Sequence, residues 1–162
     1  NDRDRCDGTS VPQITYGFGG TISYKKFDFS LFFQGLAKYS ILMQNFHPFS
    51  TATDPGTGLM QFVAEDHWSV ENPDQNAFYP RLSDRWNDNN TQNSDHYLKD
   101  GSFLRLKNAE FGYTWKSMRV YLSGTNLLTF TKFKYWDPEI GGGDGLSYPI
   151  QKTYNFGIQL NF

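Results

Sequence analysis

The chain is predicted to be all-β, with five antiparallel transmembrane strands that form part of a large β-barrel wall and long loops at one end. Three observations lead there. Aromatic residues are in excess, with 15 Phe, 10 Tyr and 4 Trp making 18% of the 162 residues, a mixture that suits strands. Apolar and polar residues alternate with period two in segments of about 11–13 residues, where strands of soluble sheets run about 5–6 and roughly 9–11 tilted residues cross a bilayer. The connections alternate strictly between very short and very long, which a barrel produces with short turns on one side of the membrane and long loops on the other.

The first strand is expected over 13–24, where Ile14, Tyr16, Phe18, Ile22 and Tyr24, with Gly20 in phase, oppose Thr15, Thr21 and Ser23. Lys25-Lys26 makes a tight break. A second strand over 27–39 sets Phe27, Phe29, Leu31, Phe33, Ala37 and Tyr39 against Asp28, Ser30, Gln34 and Lys38. Phe32 and Leu36 fall on its polar side, where a plug or a neighbouring side chain would have to receive them. Periodicity then disappears over 40–101, which fills with Asn, Asp, Pro, Gly, Ser and Thr and is expected to be a very long extracellular loop. In a compact soluble domain such a loop would count against the strands around it, because loops beyond roughly 12–15 residues are uncommon.

A third strand over 102–115 changes phase midway. Leu104 and Leu106 are apolar against Arg105 and Lys107, then Ala109, Phe111, Tyr113 and Trp115 take the apolar role against Glu110, Gly112 and Thr114, so a β-bulge is expected near Lys107-Asn108. Lys116-Ser117 is a second tight turn, and a fourth strand over 118–130 alternates Met118, Val120, Leu122, Leu128 and Phe130 with Arg119, Tyr121, Ser123, Thr125 and Thr129, interrupted at Gly124 and Asn126. The glycine run at 141–145 and Trp136-Asp137-Pro138-Glu139 make 131–150 a second extracellular loop. The fifth strand, over 151–162, has the cleanest alternation: Tyr154, Phe156, Ile158, Leu160 and Phe162 against Thr153, Asn155, Gly157, Gln159 and Asn161.

Alternation alone also fits a soluble carbohydrate-binding β-domain, which would stay monomeric without detergent. The placement of aromatics favours the membrane. Tyr24, Phe27, Tyr113, Trp115 and Phe162 fall at the short-turn level and Tyr16, Tyr39, Phe130 and Tyr154 nearer the long loops, giving two girdles. With periplasmic short turns, the last strand descends and Phe162 reaches the periplasmic rim. Tyr154, Phe156 and Phe162 then resemble the terminal signal read by the outer-membrane barrel assembly machinery. Five strands cannot close such a barrel, and an open edge in lipid costs several kcal/mol per unsatisfied backbone group, so further strands must complete the wall. The segment Asn1-Asp2-Arg3-Asp4-Arg5 has neither the basic nor the apolar region of an export signal, so residue 1 is not expected to start the gene product.

Several classes have no support. A net charge of −2 without dense basic clusters argues against nucleic acid. The single cysteine, Cys6, cannot make an internal disulfide and reads as a loop thiol. His47, His67 and His96 share no metal-binding spacing, and no nucleophile or phosphate-loop arrangement stands out, so neither enzymatic activity, metal nor cofactor is expected.

The stretch Ser102-Phe103-Leu104-Arg105-Leu106-Lys107-Asn108 followed by Phe111-Gly112-Tyr113-Thr114 resembles a strand of the SusC/RagA family of TonB-dependent transporters. The residues 119–130, Trp136-Asp137-Pro138-Glu139, Tyr148-Pro149 and 153–157 keep that family's order, and Pro12 to Tyr16, Phe27 to Gly35, and Asn72-Pro73 with Tyr79-Pro80-Arg81-Leu82 are similar too. The resemblance implies a C-terminal part of a 22-stranded outer-membrane barrel whose plug and N-terminal barrel lie outside these residues. It implies uptake of oligosaccharides or peptides under a SusD-like surface lipoprotein lid, driven by the TonB complex acting through the missing N-terminal part. A structural barrel or adhesin without uptake is the alternative.

Trp68, Tyr79, Trp86, Tyr135 and Trp136 are candidate ligand-stacking rings in the loops, the alternative being that they pack the loops into an ordered cap or touch the lipoprotein. Asp137, Glu139 and Asp144 offer oxygen ligands for a divalent cation, although their spacing fits no EF-hand and a plain glycine-rich turn is the other reading. Asp28, Gln34, Lys38, Arg119 and Gln159 are expected to face the lumen.

Overall fold

The computed structural model describes residues 8–46, 58–83 and 87–161. Cys6, His47, Trp86 and Phe162 lie outside the described residues. Five long strands form one antiparallel sheet in the order β1-β2-β5-β6-β7: β1 Ile14–Tyr24, β2 Phe27–Ala37, β5 Phe103–Trp115, β6 Met118–Thr131 and β7 Thr153–Leu160. Between β2 and β5 the chain is not one irregular loop. It carries β3 Ser40–Leu42, α1 Gln61–Glu65, α2 Asp88–Thr91 and β4 Leu98–Asp100, and β3 and β4 pair as a separate small sheet.

Strand ends follow local backbone chemistry. β2 stops at Ala37 because Lys38 takes φ 51°, outside the extended region. Both short turns open on a lysine at positive φ, Lys25 at 56° and Lys116 at 53°. In each, the lysine ammonium lies over the ring that ends the preceding strand, Lys25 over Tyr24 at 5.3 Å and Lys116 over Trp115 at 5.5 Å. The two turns are therefore built alike.

The register gives the sheet two chemically opposite faces, because directly paired residues point the same way. One row across all five strands is Ile22, Phe29, Phe111, Leu122 and Phe156. The adjacent row is Thr21, Ser30, Glu110, Ser123 and Asn155, on the other face. The apolar face is open: Ile22 is 72% and Phe156 69% exposed, and neighbouring large apolar side chains form one contiguous band. A soluble domain does not leave such a band uncovered.

The expected bulge is present and extends over two strands. Between β2 and β5 the pairing steps from Phe32↔Asn108 to Phe33↔Leu106, leaving Lys107 as an extra residue. Between β5 and β6 it steps from Asn108↔Thr125 to Leu106↔Leu128, and Asn126 adopts φ 54°, a conformation Asn accommodates better than most residues. The phase change of β5 thereby returns Leu106 to the side of Phe33 and Leu128. The two apolar residues out of phase in β2 differ: Phe32 stays 40% exposed on the polar face and Leu36 is half-buried. Phe32 crosses a glycine floor, lying where a Cβ on Gly17 or Gly19 would approach its ring to 3.2 or 3.1 Å, and Leu36 pairs with Phe103, itself only 5% exposed.

Candidate functional site

Two arrangements stand out, one on the polar face and one above its long-loop end. On the polar face, Arg119 of β6 reaches diagonally over β5 to Asp28 of β2. Its guanidinium donates to both Asp28 carboxylate oxygens and to Glu110 Oε1 at 2.6 Å. Gly112 makes this possible, since a Cβ there would stand 2.5 Å from Asp28 Oδ2 and 2.6 Å from Arg119 Nη2. The three side chains tie three strands together and carry one net negative charge. Among the other residues expected to face the lumen, Gln159 pairs with Arg119 and Gln34 with Arg105 on this same face, whereas Lys38 lies beyond the end of β2.

The segments between β2 and β5 and after β6 build a cap with its own core. Ile41, Met43, Phe46 and Val63 are almost completely buried, with Phe78, Tyr79, Tyr97 and Phe133 around them. The packing is largely aromatic: Phe46 lies 5.7 Å from Phe78 and edge-on to Tyr97 at 5.4 Å, and Phe78 lies 4.7 Å from Tyr135. Burial pushes the Tyr79 hydroxyl up to about 12, and raises Tyr97 as well, with Tyr79 adding to the effect. Lys99, over the Phe78 ring at 5.3 Å, is lowered by burial, with Asp66 acting in the opposite direction.

The 131–150 segment is clamped to both the cap and the wall. Gly143 N donates to Leu42 O at 3.0 Å and Gln44 N to Gly143 O at 2.8 Å, so the glycine run adds a rung to β3. Gly143 sits at φ 114°, which side-chain-bearing residues rarely adopt. On the wall side, Arg105, 1% exposed, donates to Asp137 Oδ1 at 2.5 Å, and its Nε lies 3.3 Å from Glu139 Oε2. Lys107, at the bulge, is 3.4 Å from the other Glu139 oxygen. Asp137 also accepts from Glu139 N at 3.0 Å, starting the turn Pro138–Ile140. Two of the three carboxylates considered for a cation are thus engaged by protein cations, and Asp144 accepts from Leu146 N. Among the described residues no group of three or more His, Cys, Asp or Glu is placed to hold a metal ion.

Of the candidate stacking rings, Tyr79 is 4% exposed inside the cap core, and Tyr135 and Trp136 are partly buried against it. Trp136 donates from its indole N to Gly141 O at 2.9 Å and covers Gly145. Trp68 is half-buried, its backbone N donating to Tyr79 O at 2.9 Å. Tyr154 and Phe156 both stand on the open apolar face, each 69% exposed. Sequence reasoning missed Glu110 as the third member of the ion cluster and Arg105 as the anchor of 131–150. Their signal was an acidic residue in the polar phase beside Gly112 and an arginine between two leucines.

No protein-family profile matches the chain. It is 31% identical over 180 residues to TonB-dependent receptor P3 and 33% over 183 residues to TonB-dependent receptor P26, both of Formosa agariphila, in each case over 96% of this chain. It is 35% identical over 81 residues to TonB-dependent receptor SusC of Bacteroides thetaiotaomicron. The chain spans 17% of the length of the two Formosa receptors. Among solved structures it is similar to the RagAB peptide importer in the open-open state, with a TM-score of 0.73 and 28% identity over 96% of this chain and 18% of that one. A second RagAB peptide transporter structure gives a TM-score of 0.71 and 29% identity over the same shares. With the two-faced sheet, and with the likenesses to the Formosa receptors and to RagAB running nearly its whole length while that to SusC covers 43% of it and 8% of SusC, the chain belongs to the SusC/RagA family of TonB-dependent outer-membrane receptors, as a segment of their β-barrel.

Proposed function

We propose that the parent protein imports a nutrient across the bacterial outer membrane by TonB-dependent transport, and that this chain supplies five strands of its barrel wall and an ordered cap over one end. The observation that carries the reading is the sheet's division into an open apolar face and a polar, ion-paired one, on a chain matching TonB-dependent receptors over 96% of its length. The open edges of β1 and β7 are where the remaining strands would join, with a plug filling the lumen. The likeness to the RagAB peptide importer supports a peptide cargo, and the family resemblance of the sequence supports an oligosaccharide as the other cargo class and a SusD-like lipoprotein closing over the long-loop end. Trp68, Tyr135 and Trp136, which keep part of their surface exposed, are the rings we assign to cargo or lipoprotein contact, and Tyr154 and Phe156 belong to the signal read by the barrel assembly machinery. Growth of a strain lacking the parent gene, on single glycans and on peptide mixtures, tests the reading. Loss of growth on one cargo class, restored by the gene but not by a variant unable to engage TonB, is expected. Unchanged uptake with altered adhesion would overturn it in favour of a structural role.

A further inference from the structure

The open apolar face is not uniform. Between the row Ile22, Phe29, Phe111, Leu122 and Phe156 and the row Phe18, Phe33, Leu106 and Leu128 lie Gly20, Leu31, Ala109, Gly124 and Tyr154, and within this row the small pair Ala109 and Gly124 is flanked by the larger Leu31 and Tyr154. A Cβ on Gly20 would meet nothing within 4 Å, but Leu31 separates that opening from Ala109. Where Ala109 pairs with Gly124, the face sinks into a notch of about 190 Å³ walled by Phe29, Phe111, Leu122 and Tyr154. Leu127, folded back at the bulge to lie over Gly124, forms one end.

Depth decides what can fill it. Ala109 stands six residues from Trp115 along β5. At about 3.3 Å per residue and a tilt of about 40°, that is roughly 15 Å above the short-turn aromatics, inside a lipid-facing band about 25 Å tall. Water and lipid headgroups are excluded at that level, and an empty apolar notch forfeits packing contacts on every wall. The notch is continuous with the bilayer-facing surface, so the apolar matter available to it is the hydrocarbon of the membrane. We propose that it is a binding site for one fatty acyl chain of a bilayer lipid, held in place longer than the chains sliding over the neighbouring flat rows. Phe29, Phe111, Leu122 and Tyr154 around the notch hold the chain there, and the bulge that folds Leu127 inward sets where it ends.

The test uses the full-length receptor in nanodiscs of phosphatidylcholine carrying a photoreactive diazirine within one acyl chain, with cross-linked residues mapped by mass spectrometry. Labelling at Phe111, Leu122 and Tyr154 several-fold above that at Val120 and Ile158, nearer the short turns on the same face, is expected. Ala109→Leu, which fills the notch, should bring the two sets level, while Val120→Leu should leave the difference intact. Retention of the heat-modifiable compact band on gels shows that each variant has folded, and the unsubstituted protein's labelling pattern stands independently of both. Equal labelling of the two sets overturns the proposal. So does labelling depleted at the notch, which means that protein covers it, and so does a pattern that Ala109→Leu leaves unchanged.

Discussion

Replacing Arg105 with Met removes a guanidinium that is 1% exposed and leaves Asp137 and Glu139 facing an apolar side chain of similar length. Breaking a buried ion pair by deleting one partner typically costs about 3–5 kcal/mol. Here the cost is reduced, because the Asp137 and Glu139 side chains remain 20% and 30% exposed and Lys107 stays 3.4 Å from Glu139. About 2–3 kcal/mol is therefore expected, or roughly 30- to 150-fold in the equilibrium for detaching 131–150. Because Arg105 sits on a strand and its partners on the loop, the loss should appear as local opening. Hydrogen exchange of the Gly143 and Gln44 amides, which close the rung between the glycine run and β3, reads it directly. Both should exchange faster by about that factor in Arg105→Met, with β5 and β6 amides near their short turn unchanged. Unaltered exchange at Gly143 would refute the clamp.

Further perturbations separate cap, ion cluster and membrane face. Phe46→Ala removes the ring at the centre of the aromatic core and should destabilise the cap by about 3–5 kcal/mol, seen as protease cleavage within 58–83 while the barrel stays heat-modifiable. Gly112→Ala forces Asp28 and Arg119 apart and should lower the yield of assembled barrel, partly restored by Asp28→Ala in the same chain. Tyr79 is raised from about 10 to about 12 by burial; its neutral form is favoured in the folded cap, so its contribution is fully present below about pH 10 and lost as pH rises through 12. Tyrosinate absorbance should show this late step in the unsubstituted protein and lose part of it in Tyr79→Phe. Leu122→Arg on the apolar face should cost about 2–4 kcal/mol in refolding from denaturant into lipid, and Ser123→Arg on the opposite face far less.

The wall was legible in the sequence because a period-two pattern over eleven or more residues leaves few alternatives. Even its fault was legible: the switch from Leu104 and Leu106 to Ala109 and Phe111 announced the bulge at Lys107. An ordered cap was one reading of the loop rings, but its elements were not legible, because β3 and β4 are three residues each and α1 five, too short for any periodicity to emerge from a Gly-, Asn- and Asp-rich background. Its stability comes from contacts between Ile41, Phe78, Tyr97 and Phe133, far apart in sequence. Ring type alone did not separate Tyr79, packed in that core, from Trp68, half-buried at its edge. The same holds for the ion pairs, since nothing in the spacing of Asp28, Glu110 and Arg119 shows that Gly112 clears a path between them.

As part of a barrel wall, this sheet turns one face to lipid and the other to the lumen. Single cysteines along β6 of the full-length receptor, with Cys6 replaced by Ser and each carrying a bimane probe, test it most directly. Probes at Val120, Leu122 and Leu128 should be quenched by brominated lipid, and those at Arg119, Tyr121 and Ser123 by aqueous iodide. Quenching that does not alternate along the strand, or iodide reaching both sets equally, would contradict a barrel wall.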